Sequence, residues 1–377
     1  MKKILFAAST LSHIENFHIP YLKYFKDNGF EVHIIGKENN KFPIPYIDKV
    51  VPINFEKNMF SFKNFISAFK ISKLIRDEKY SIVSTHTILA SFFTRLGIMI
   101  SLKKHPLVIN TVHGYLFDEN SSFIKRFIMI LAEKFVRPVT DTVLVMNSTD
   151  YEIAKKYNLY RKNIYSINGM GMNASEFPLS TEENKLYLRE KYNIAKDDFL
   201  LIYVAEFSKR KNQKFLIDSM KFLINEGYNN VRLLLLGDGV LLNDMKEYSK
   251  NLGIEDNIIF KGYIKEVYNY YQVSDICVSS SRIEGLPFNI MEAMSTGLPV
   301  IASKIKGHID LVTHGENGFL YEYNNVNEFC NYVEILYNDG NLLNSMRFSS
   351  HNLSKKYSLE SVFPEITKIM INEINTI

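Results

Sequence analysis

Two glutamates are the residues of this chain best placed to do chemistry. Glu284 and Glu292 lie eight positions apart on either side of Pro287, after an apolar run. The pattern predicts a strand, a loop and a short helix with Pro287 at its first position, where the missing N–H costs nothing. The backbone N–H groups of Phe288 and Asn289 would then face a phosphate. Two carboxylates beside such a site can hold the hydroxyls of a sugar and a ribose joined by a diphosphate. The alternative is an ordinary turn with one solvated and one capping glutamate.

Histidines follow two other predicted strands. His113 comes directly after Leu107–Val112 and precedes a glycine, and His86 follows Thr85. A side chain at the carboxyl end of a parallel strand points to the place where ligands bind such sheets. An imidazole can also gain or lose a proton near neutral pH. We therefore expect both histidines to border a ligand site, with a hydrogen-bonded structural histidine as the alternative for each.

The segment from Glu284 to Ala302 resembles the signature of retaining nucleotide-sugar glycosyltransferases of family 4, the GT-B type with two Rossmann-like domains. It carries both glutamates around Gly-Leu-Pro, followed by Glu-Ala-Met-x-x-Gly-Leu-Pro-Val-Ile-Ala. The resemblance covers essentially the whole chain. Ser-His-Ile-x-Asn-Phe-His-Ile-Pro, beginning at Ser12, is similar to the subset that builds capsular and extracellular polysaccharides.

The resemblance implies roles for individual residues. Glu284 would position the hydroxyls of the donor sugar, Glu292 would hold the ribose, and Lys211 would neutralise the donor diphosphate. His113 matches a family histidine that contacts the donor sugar. The other candidates for donor binding are Gly285, Leu286, Phe288, Asn289, Gly237, Lys209 and Arg210. The candidates for the acceptor side are Ser12, His13 and His86.

The chain departs from the family at two places. Glu206 stands where the family has an arginine on the diphosphate, and a glutamate cannot bind phosphate. Either Lys209 or Arg210 supplies the missing charge, or the donor is held by one cation fewer; taken alone, both residues fit a solvated loop. The family's Gly-Gly turn after the first strand is also absent. No other glycine fingerprint occurs, which disfavours a dehydrogenase.

Apolar runs alternate with helical patterns along the whole chain. This alternation indicates parallel sheets covered on both faces and two doubly wound α/β domains that face a cleft. The predicted strands are Ile4–Ala7, Val32–Ile35, Ile82–Ser84, Leu107–Val112, Thr142–Val145, Ile164–Ile167, Phe199–Val204, Val231–Leu236, Ile258–Phe260, Ile276–Ser279 and Pro299–Ala302. Gly318 is predicted to mark a turn.

The expected domains are an acceptor-side domain over residues 1–178, a nucleotide-sugar domain over residues 179–357, and a helix over residues 358–377 that crosses back to the first domain. The charged stretch Ser180–Lys185 is the predicted hinge. A length of 377 residues suits two domains, and 46% hydrophobic residues suffice for their cores.

Composition also predicts the compartment. Cys277 and Cys330 cannot form a disulfide framework and lack metal-ligand spacing, so we expect them to be core residues in a reducing cytosol. The N-terminal apolar run is too short for a signal peptide. No apolar run reaches the length of a membrane span. We expect a cytoplasmic protein, with peripheral attachment to the inner face of the membrane as an extension.

Charge is distributed unevenly. Residues 1–180 carry 24 Lys and Arg and 15 Asp and Glu, a net charge of +9, and the remainder has a net charge of −5. A basic first half could face nucleic acid, an anionic membrane or a phosphorylated acceptor, or it could be solvated surface. Within it, the stretch Lys57–Arg76 interleaves lysines with aromatics at helical spacing. A packed crossover helix and a membrane-surface helix both fit this stretch.

The resemblance thus implies a retaining hexosyltransferase that needs neither metal nor cofactor. Its donor would be a nucleotide diphosphate sugar, UDP-linked by family frequency, and its acceptor a saccharide, either free or on a polyprenyl diphosphate; no nucleic acid is expected. Asp-x-Asp and histidine clusters with ligand spacing are absent from the sequence. Lys211 and helix amides would therefore stabilise the leaving diphosphate. The alternatives are a nucleotide-sugar epimerase on the same architecture and a non-catalytic nucleotide-sugar binder.

Overall fold

Two parallel β-sheets, each in its own compact unit, organise the protein. The structure is a computed structural model and describes residues 2–38, 43–102, 105–118 and 121–376. The first unit comprises Met1–Gly171 with Leu359–Ile377, and the second comprises Met172–Ser358. The predicted architecture of two doubly wound α/β domains is confirmed.

The described part of the first unit contains a seven-stranded parallel sheet in the order β3-β2-β1-β4-β5-β6-β7. Its strands are β1 (Lys3–Thr10), β2 (Glu31–Lys37), β3 (Lys49–Pro52), β4 (Ile82–Thr85), β5 (Leu107–Val112), β6 (Thr142–Val145) and β7 (Asn163–Ser166). Its helices before the second unit are α1 (Leu11–Phe17), α2 (Ile19–Asp27), α3 (Phe62–Glu78), α4 (Ile88–Ile100), α5 (Phe123–Val136) and α6 (Ser148–Lys156). Because the chain leaves β1 toward one edge and β4 toward the other, the sheet has its switch point between these two strands.

The second unit contains a six-stranded parallel sheet in the order β10-β9-β8-β11-β12-β13, with its switch point between β8 and β11. Its strands are β8 (Phe199–Val204), β9 (Val231–Leu236), β10 (Ile258–Gly262), β11 (Ile276–Ser279), β12 (Val300–Ser303) and β13 (Gly318–Tyr321). Its helices are α7 (Glu182–Lys191), α8 (Gln213–Asn225), α9 (Leu242–Asn251), α10 (Tyr268–Val273), α11 (Phe288–Ser295), α12 (His308–Leu311), α13 (Val326–Asn338) and α14 (Gly340–Ser354). Single 3₁₀ turns occur at Arg137–Val139, Ala174–Glu176, Glu255–Asn257 and Lys355–Tyr357.

The last helix, α15 (Leu359–Asn375), belongs to the first unit. Phe363 packs on the rings of Tyr21 and Tyr24, with ring centroids 5.3 and 5.7 Å apart. Near the end of the helix, the Glu373 carboxylate accepts a hydrogen bond of 2.7 Å from the side-chain amide of Asn163 in β7. These contacts hold α15 to the first sheet and its helices.

The stretch predicted as a hinge lies inside the second unit. Helix α7 begins at Glu182, and the Lys185 ammonium lies 2.6 Å from the Asp275 carboxylate. Arg189 lies 2.7 Å from the other oxygen of Asp275, which also accepts the backbone N–H of Leu200. Two buried cations on one buried carboxylate fix α7 to the sheet, so the hinge prediction is wrong. The chain passes between the units at residues 171–172 and 358–359.

The sequence analysis missed two edge strands. Strand β3 is short and mostly exposed, so no long apolar run in the sequence indicates it. Strand β13 begins at Gly318, which was predicted to be in a turn. A Cβ at this position would lie 1.9 Å from the carbonyl oxygen of Val300 in β12. The glycine is needed for close approach of two backbones within the sheet.

Candidate active site

The switch point of the second sheet brings the charged candidates together. Strands β8 and β11 are neighbours, so the loops at their carboxyl ends meet. The Ser280 hydroxyl lies 2.9 Å from the carbonyl oxygens of Lys211 and Asn212, and the Tyr203 hydroxyl lies 2.8 Å from that of Ser281. These buried hydrogen bonds fix the loop after β8 against the loop after β11.

Two cations converge on one carboxylate in these loops. The Lys211 ammonium lies 2.7 Å from Oε1 of Glu284, and the Arg210 guanidinium lies 2.9 Å from the same oxygen. Burial lowers the pKa of Lys211, and Glu284 partly opposes that shift. Although burial acts to raise the pKa of Glu284, the charges of Lys211 and Arg210 hold it below its ordinary value. The buried pair is therefore ionised, and with Arg210 the cluster carries a net positive charge.

Lys209, Arg210 and Glu206, which stands at the family's arginine position, are all exposed. What distinguishes Arg210 is its contact with the Glu284 carboxylate. Arg210, which the sequence by itself assigned to a solvated loop together with Lys209, also donates to the carbonyl oxygen of Ile283 at 3.3 Å. Arg210 is thus the cation that the structure places beside Glu284 and Lys211.

Helix α11 starts one residue later than predicted. Pro287 is the N-cap with extended backbone angles, and Phe288 is the first helical residue. The Asn289 side-chain amide donates to the carbonyl oxygen of Val204 at 2.9 Å. That bond ties the start of α11 to the end of β8, so the side chain of Asn289 serves the fold. Leu286, in the loop before the helix, is 7% exposed and packs inward.

Glu292 lies further along α11 in a different environment. The Tyr271 hydroxyl donates to Oε2 of Glu292 at 3.0 Å and also lies 3.1 Å from the carbonyl oxygen of Asn289. Burial raises the pKa of Glu292 to about 7. Near neutral pH this carboxyl group is therefore divided between its protonated and ionised forms, unlike Glu284. Tyr271 was not recognised from the sequence, because nothing local links it to Glu292.

Two glycines let neighbouring loops approach the cluster. A Cβ at Gly237, at the end of β9, would lie 2.0 Å from the carbonyl oxygen of Ala205. A Cβ at Gly307, which has a φ of +81°, would lie 2.4 Å from the carbonyl oxygen of Gly285. His308 follows in a buried position, with Nε2 3.2 Å from the hydroxyl of Ser279. Gly307 and His308 therefore pack against the loop that carries Glu284. The sequence analysis did not assign them this role.

The switch point of the first sheet gathers four histidines instead. His13 lies in α1 beside Ser12, His18 ends α1, and His86 and His113 directly follow β4 and β5. Nδ1 of His86 lies 3.2 Å from Nε2 of His113, and the rings of His13 and His113 have centroids 4.7 Å apart. The structure thus places His113 with the residues predicted for the acceptor side.

These imidazoles are neutral near neutral pH. Burial lowers the pKa of His13 to about 4 and lowers those of His18, His86 and His113 as well. Among the described residues, three buried imidazole nitrogens have no hydrogen-bond partner. They are Nδ1 and Nε2 of His18 and Nε2 of His13. An unsatisfied buried polar group costs about 1–3 kcal/mol. The cluster therefore presents unused hydrogen-bonding and ligating capacity to whatever binds there.

Two groups of side chains have the spacing of metal ligands. Nitrogen atoms of His13, His18 and His113 lie within 4.8 Å of one another, as do ligand atoms of Glu31, His33 and Glu78. Imidazoles suit zinc and other transition metals. The two carboxylates of the second group pair with lysines, and Glu78 lies 2.6 Å from the Lys3 ammonium. The sequence analysis found no histidine cluster, because the trio comes together only through the fold.

Comparisons with known proteins agree with this architecture. The family model described as "Glycosyl transferases group 1" matches residues 184–351, and "Glycosyl transferase 4-like" matches residues 3–147. The "Putative glycosyltransferase EpsD" of Bacillus subtilis is 31% identical over 369 residues, which are 98% of this chain and 96% of the relative.

Two further proteins extend the comparison. The Escherichia coli "UDP-Gal:alpha-D-GlcNAc-diphosphoundecaprenol alpha-1,3-galactosyltransferase" is 28% identical over 349 residues, covering 91% of this chain and 89% of the relative. The crystal structure of Anabaena Alr3699/HepE in complex with UDP matches with a TM-score of 0.79 and 18% identity, covering 99% of this chain and all of that one. The latter shows the fold, and the sequence relatives show the family: the chain belongs to the group 1 glycosyl transferases and is a hexosyltransferase of the GT-B fold.

Proposed function

We propose that this glycosyltransferase moves a hexose from a UDP-sugar to a saccharide carried on a polyprenyl diphosphate, with retention of anomeric configuration. The galactosyltransferase relative is named for both kinds of substrate, and the HepE neighbour was crystallised with UDP. The observation that carries the proposal is the ionised Lys211–Glu284 pair at the switch point of the second sheet. The capsular and extracellular polysaccharide context indicated by the Ser12–Pro20 motif belongs to the same proposal.

The donor would bind along the loops after β8 and β11. Glu284 accepts hydrogen bonds from the sugar hydroxyls, while Lys211 and Arg210 face the diphosphate. Two cations share one carboxylate there, so one positive charge remains for the phosphates. Preorganised charge at the site where the leaving group becomes more negative lowers the barrier. Glu292 holds the ribose, and Tyr271 orients its carboxylate.

The transfer step moves one glycosyl group. The bond between the sugar C1 and the phosphate oxygen breaks, and a bond from the acceptor oxygen to C1 forms on the same face. The acceptor proton passes to the leaving phosphate oxygen, so UDP is the second product. The contact of His113 with the donor sugar, which the family resemblance implies, remains a prediction.

We also propose that the donor step uses no metal ion and that the protein attaches peripherally to the inner face of the cytoplasmic membrane. The first part rests on Lys211 and Arg210, which place cationic charge where the diphosphate would lie. The second rests on the basic first half of the chain, with a net charge of +9 over residues 1–180. No described helix is both long enough and apolar enough to cross a bilayer.

Product analysis tests the proposal. The purified protein is incubated with UDP-hexoses, with and without polyprenyl-diphosphate saccharides, and the products are resolved by mass spectrometry. A glycosylated lipid and stoichiometric UDP, formed only when the acceptor is present, are expected. The configuration of the new linkage, read by nuclear magnetic resonance, should match that of the donor. An epimerised UDP-sugar formed from donor alone would favour the epimerase, and an inverted linkage would overturn retention.

A further inference from the structure

Helix α5 turns an apolar face to solvent. Its one buried residue is Val136. Its exposed large apolar side chains are Phe123, Ile124, Phe127, Ile128, Leu131 and Phe135, which are 40–72% exposed. They recur at positions i, i+4 and i+8, so they form one stripe along the helix. A helix that packs on a sheet normally directs such a stripe inward. Here the outward direction needs an explanation.

Helix α3 also exposes aromatic side chains. Ala68, Ile71 and Ile75 lie on its buried side, whereas Phe62 and Phe69 are exposed. The packed-crossover interpretation therefore holds for the helix itself, and its exposed face carries these two aromatics. Right-handed crossovers put α3, α4 and α5 on one side of the first sheet, with α4 packed against both others. We call the exposed apolar residues of α3 and α5 the apolar face.

Basic side chains surround the apolar face. Lys63, Lys70 and Lys73 are exposed on α3, and Lys125 and Lys134 are exposed on α5. An amphipathic helix with aromatic residues on one side and lysines beside them lies in the interface of a bilayer. Lysines near an anionic surface are attracted to it, and salt screens that attraction. The charge of this face thus fits acidic phospholipids.

A pocket lies beneath the same helices. Phe92 of α4, Leu116 and Phe117 of the loop after β5, and Met129 and Ala132 of α5 give it an apolar lining. His113 lines the same pocket. A guanidinium–carboxylate pair between Arg95 and Glu133, with bonds of 2.9 and 3.1 Å, holds α4 to α5 along it. The pocket therefore joins the histidine cluster to the helix that carries the apolar face.

We infer that the apolar face lies in the headgroup region of an anionic membrane, and that the first isoprene units of the polyprenyl acceptor lie along the mouth of the pocket. The diphosphate of the acceptor would then lie near the histidine cluster. This inference rests on the proposed acceptor, and it adds the surface and the pocket through which that acceptor is drawn from the bilayer.

Vesicle binding tests the apolar face. Wild-type protein should co-sediment with vesicles of phosphatidylglycerol and phosphatidylcholine but not with phosphatidylcholine alone, and high salt should release it. F127S/L131S should bind at least tenfold more weakly. The matched control is L186S/F348S in the second unit, where Leu186 and Phe348 are 48% and 64% exposed, against 58% and 56% for Phe127 and Leu131. The control should bind like wild type.

Three results would overturn the assignment of the apolar face to a membrane. They are equal binding to neutral and anionic vesicles, an equal loss of vesicle binding in the control variant, or a wild-type dimer in solution that F127S/L131S dissociates. The last would assign the face to a second copy of the chain. Transfer to a water-soluble acceptor with a short alkyl diphosphate separates this inference from the proposed function. F127S/L131S should keep that activity, and a wild type inactive on all diphosphate saccharides would contradict the proposed function instead.

The pocket is tested by filling it. A132W should raise KM for the polyprenyl acceptor at least fivefold while leaving vesicle binding and KM for the short alkyl acceptor unchanged. Circular dichroism and thermal unfolding check that the variant folds, and M129W offers a second way to fill the same space. Unchanged KM for the polyprenyl acceptor in both folded variants would show that the isoprene units bind elsewhere.

Discussion

The two sheets place different chemistry at the same topological position. At the switch point of the second sheet, buried Lys211 pairs with the buried Glu284 carboxylate, and the more exposed Arg210 adds a second cation to the same oxygen. At the switch point of the first sheet, burial keeps the imidazoles of His13 and His113 neutral. Burial disfavours any lone charge. The proposed donor site therefore keeps its buried charges in a pair, whereas the histidine site, with uncharged side chains, leaves hydrogen-bonding nitrogens free for its ligand.

Removing either partner of the charged pair should have the largest effect. Glu284→Gln and Lys211→Ala should each lower kcat/KM at least tenfold, because losing a charge-assisted hydrogen bond costs about 1.5–3 kcal/mol. Steady-state kinetics with the UDP-sugar measure this effect, and Lys209→Ala is the control, since Lys209 is a neighbouring but exposed cation. Wild-type kinetics in both folded variants would remove the assignment of this pair to the donor.

Acid should destabilise the histidine cluster rather than the charged pair. The pKa of His13 is about 4 in the folded protein, against 6.5 for an ordinary histidine. The unfolded chain therefore binds more protons as the pH falls below 6.5, and stability is lost between pH 6.5 and about 4. This one residue should cost about 2 kcal/mol at pH 5.

Urea unfolding at pH 7 and pH 5 measures that loss. His13→Asn should lose less stability than wild type over this interval, because it has no imidazole to protonate. His351→Asn is the control, since this histidine lies in the second unit and its Nδ1 bonds the carbonyl oxygen of Ser295. An equal pH dependence in wild type and His13→Asn would contradict the idea that buried His13 stays neutral.

Nucleotide binding should depend on pH through Glu292. The folded carboxyl group has a pKa of about 7, so its ionised fraction rises steeply between pH 6 and pH 8. If the carboxylate accepts the ribose hydroxyls, affinity for UDP should rise by up to about tenfold over this range. Calorimetry measures this affinity. The neighbouring groups that act on the pKa of Glu292 are the Tyr271 hydroxyl and Glu176.

Glu292→Gln is the diagnostic variant for that effect. It should bind UDP more weakly than wild type at pH 8 and show little change between pH 6 and pH 8. A variant that kept the wild-type dependence on pH would place the titrating group elsewhere, for example on the nucleotide phosphate.

Sequence reasoning reached the second site more completely than the first. Glu284 and Lys211 follow buried strands that parallel-sheet rules place side by side, so local patterns were sufficient. The meeting of Arg210 with Glu284 was not predicted, because Glu206 removed the usual landmark. The histidine trio was missed because His13 and His18 come from one helix and His113 from a loop almost 100 residues away. Helix α5 was missed because an amphipathic pattern does not say which face points outward.

The smallest effect is expected from removing metal ions. In the proposed function Lys211 and Arg210 supply positive charge for the diphosphate, so turnover of tag-free protein in excess EDTA should stay within about twofold of the untreated value. The histidine trio is where this expectation could fail, since three neutral imidazoles within 4.8 Å of one another have the spacing of zinc ligands. Loss of activity that zinc restores in wild type but not in His13→Ala would show that the trio holds a metal the reaction needs. Restoration of activity by Mg²⁺ or Mn²⁺ in both proteins would instead place a cation at the diphosphate. The zinc result and the Mg²⁺ or Mn²⁺ result would each end the contrast between a charged donor site and an uncharged acceptor site.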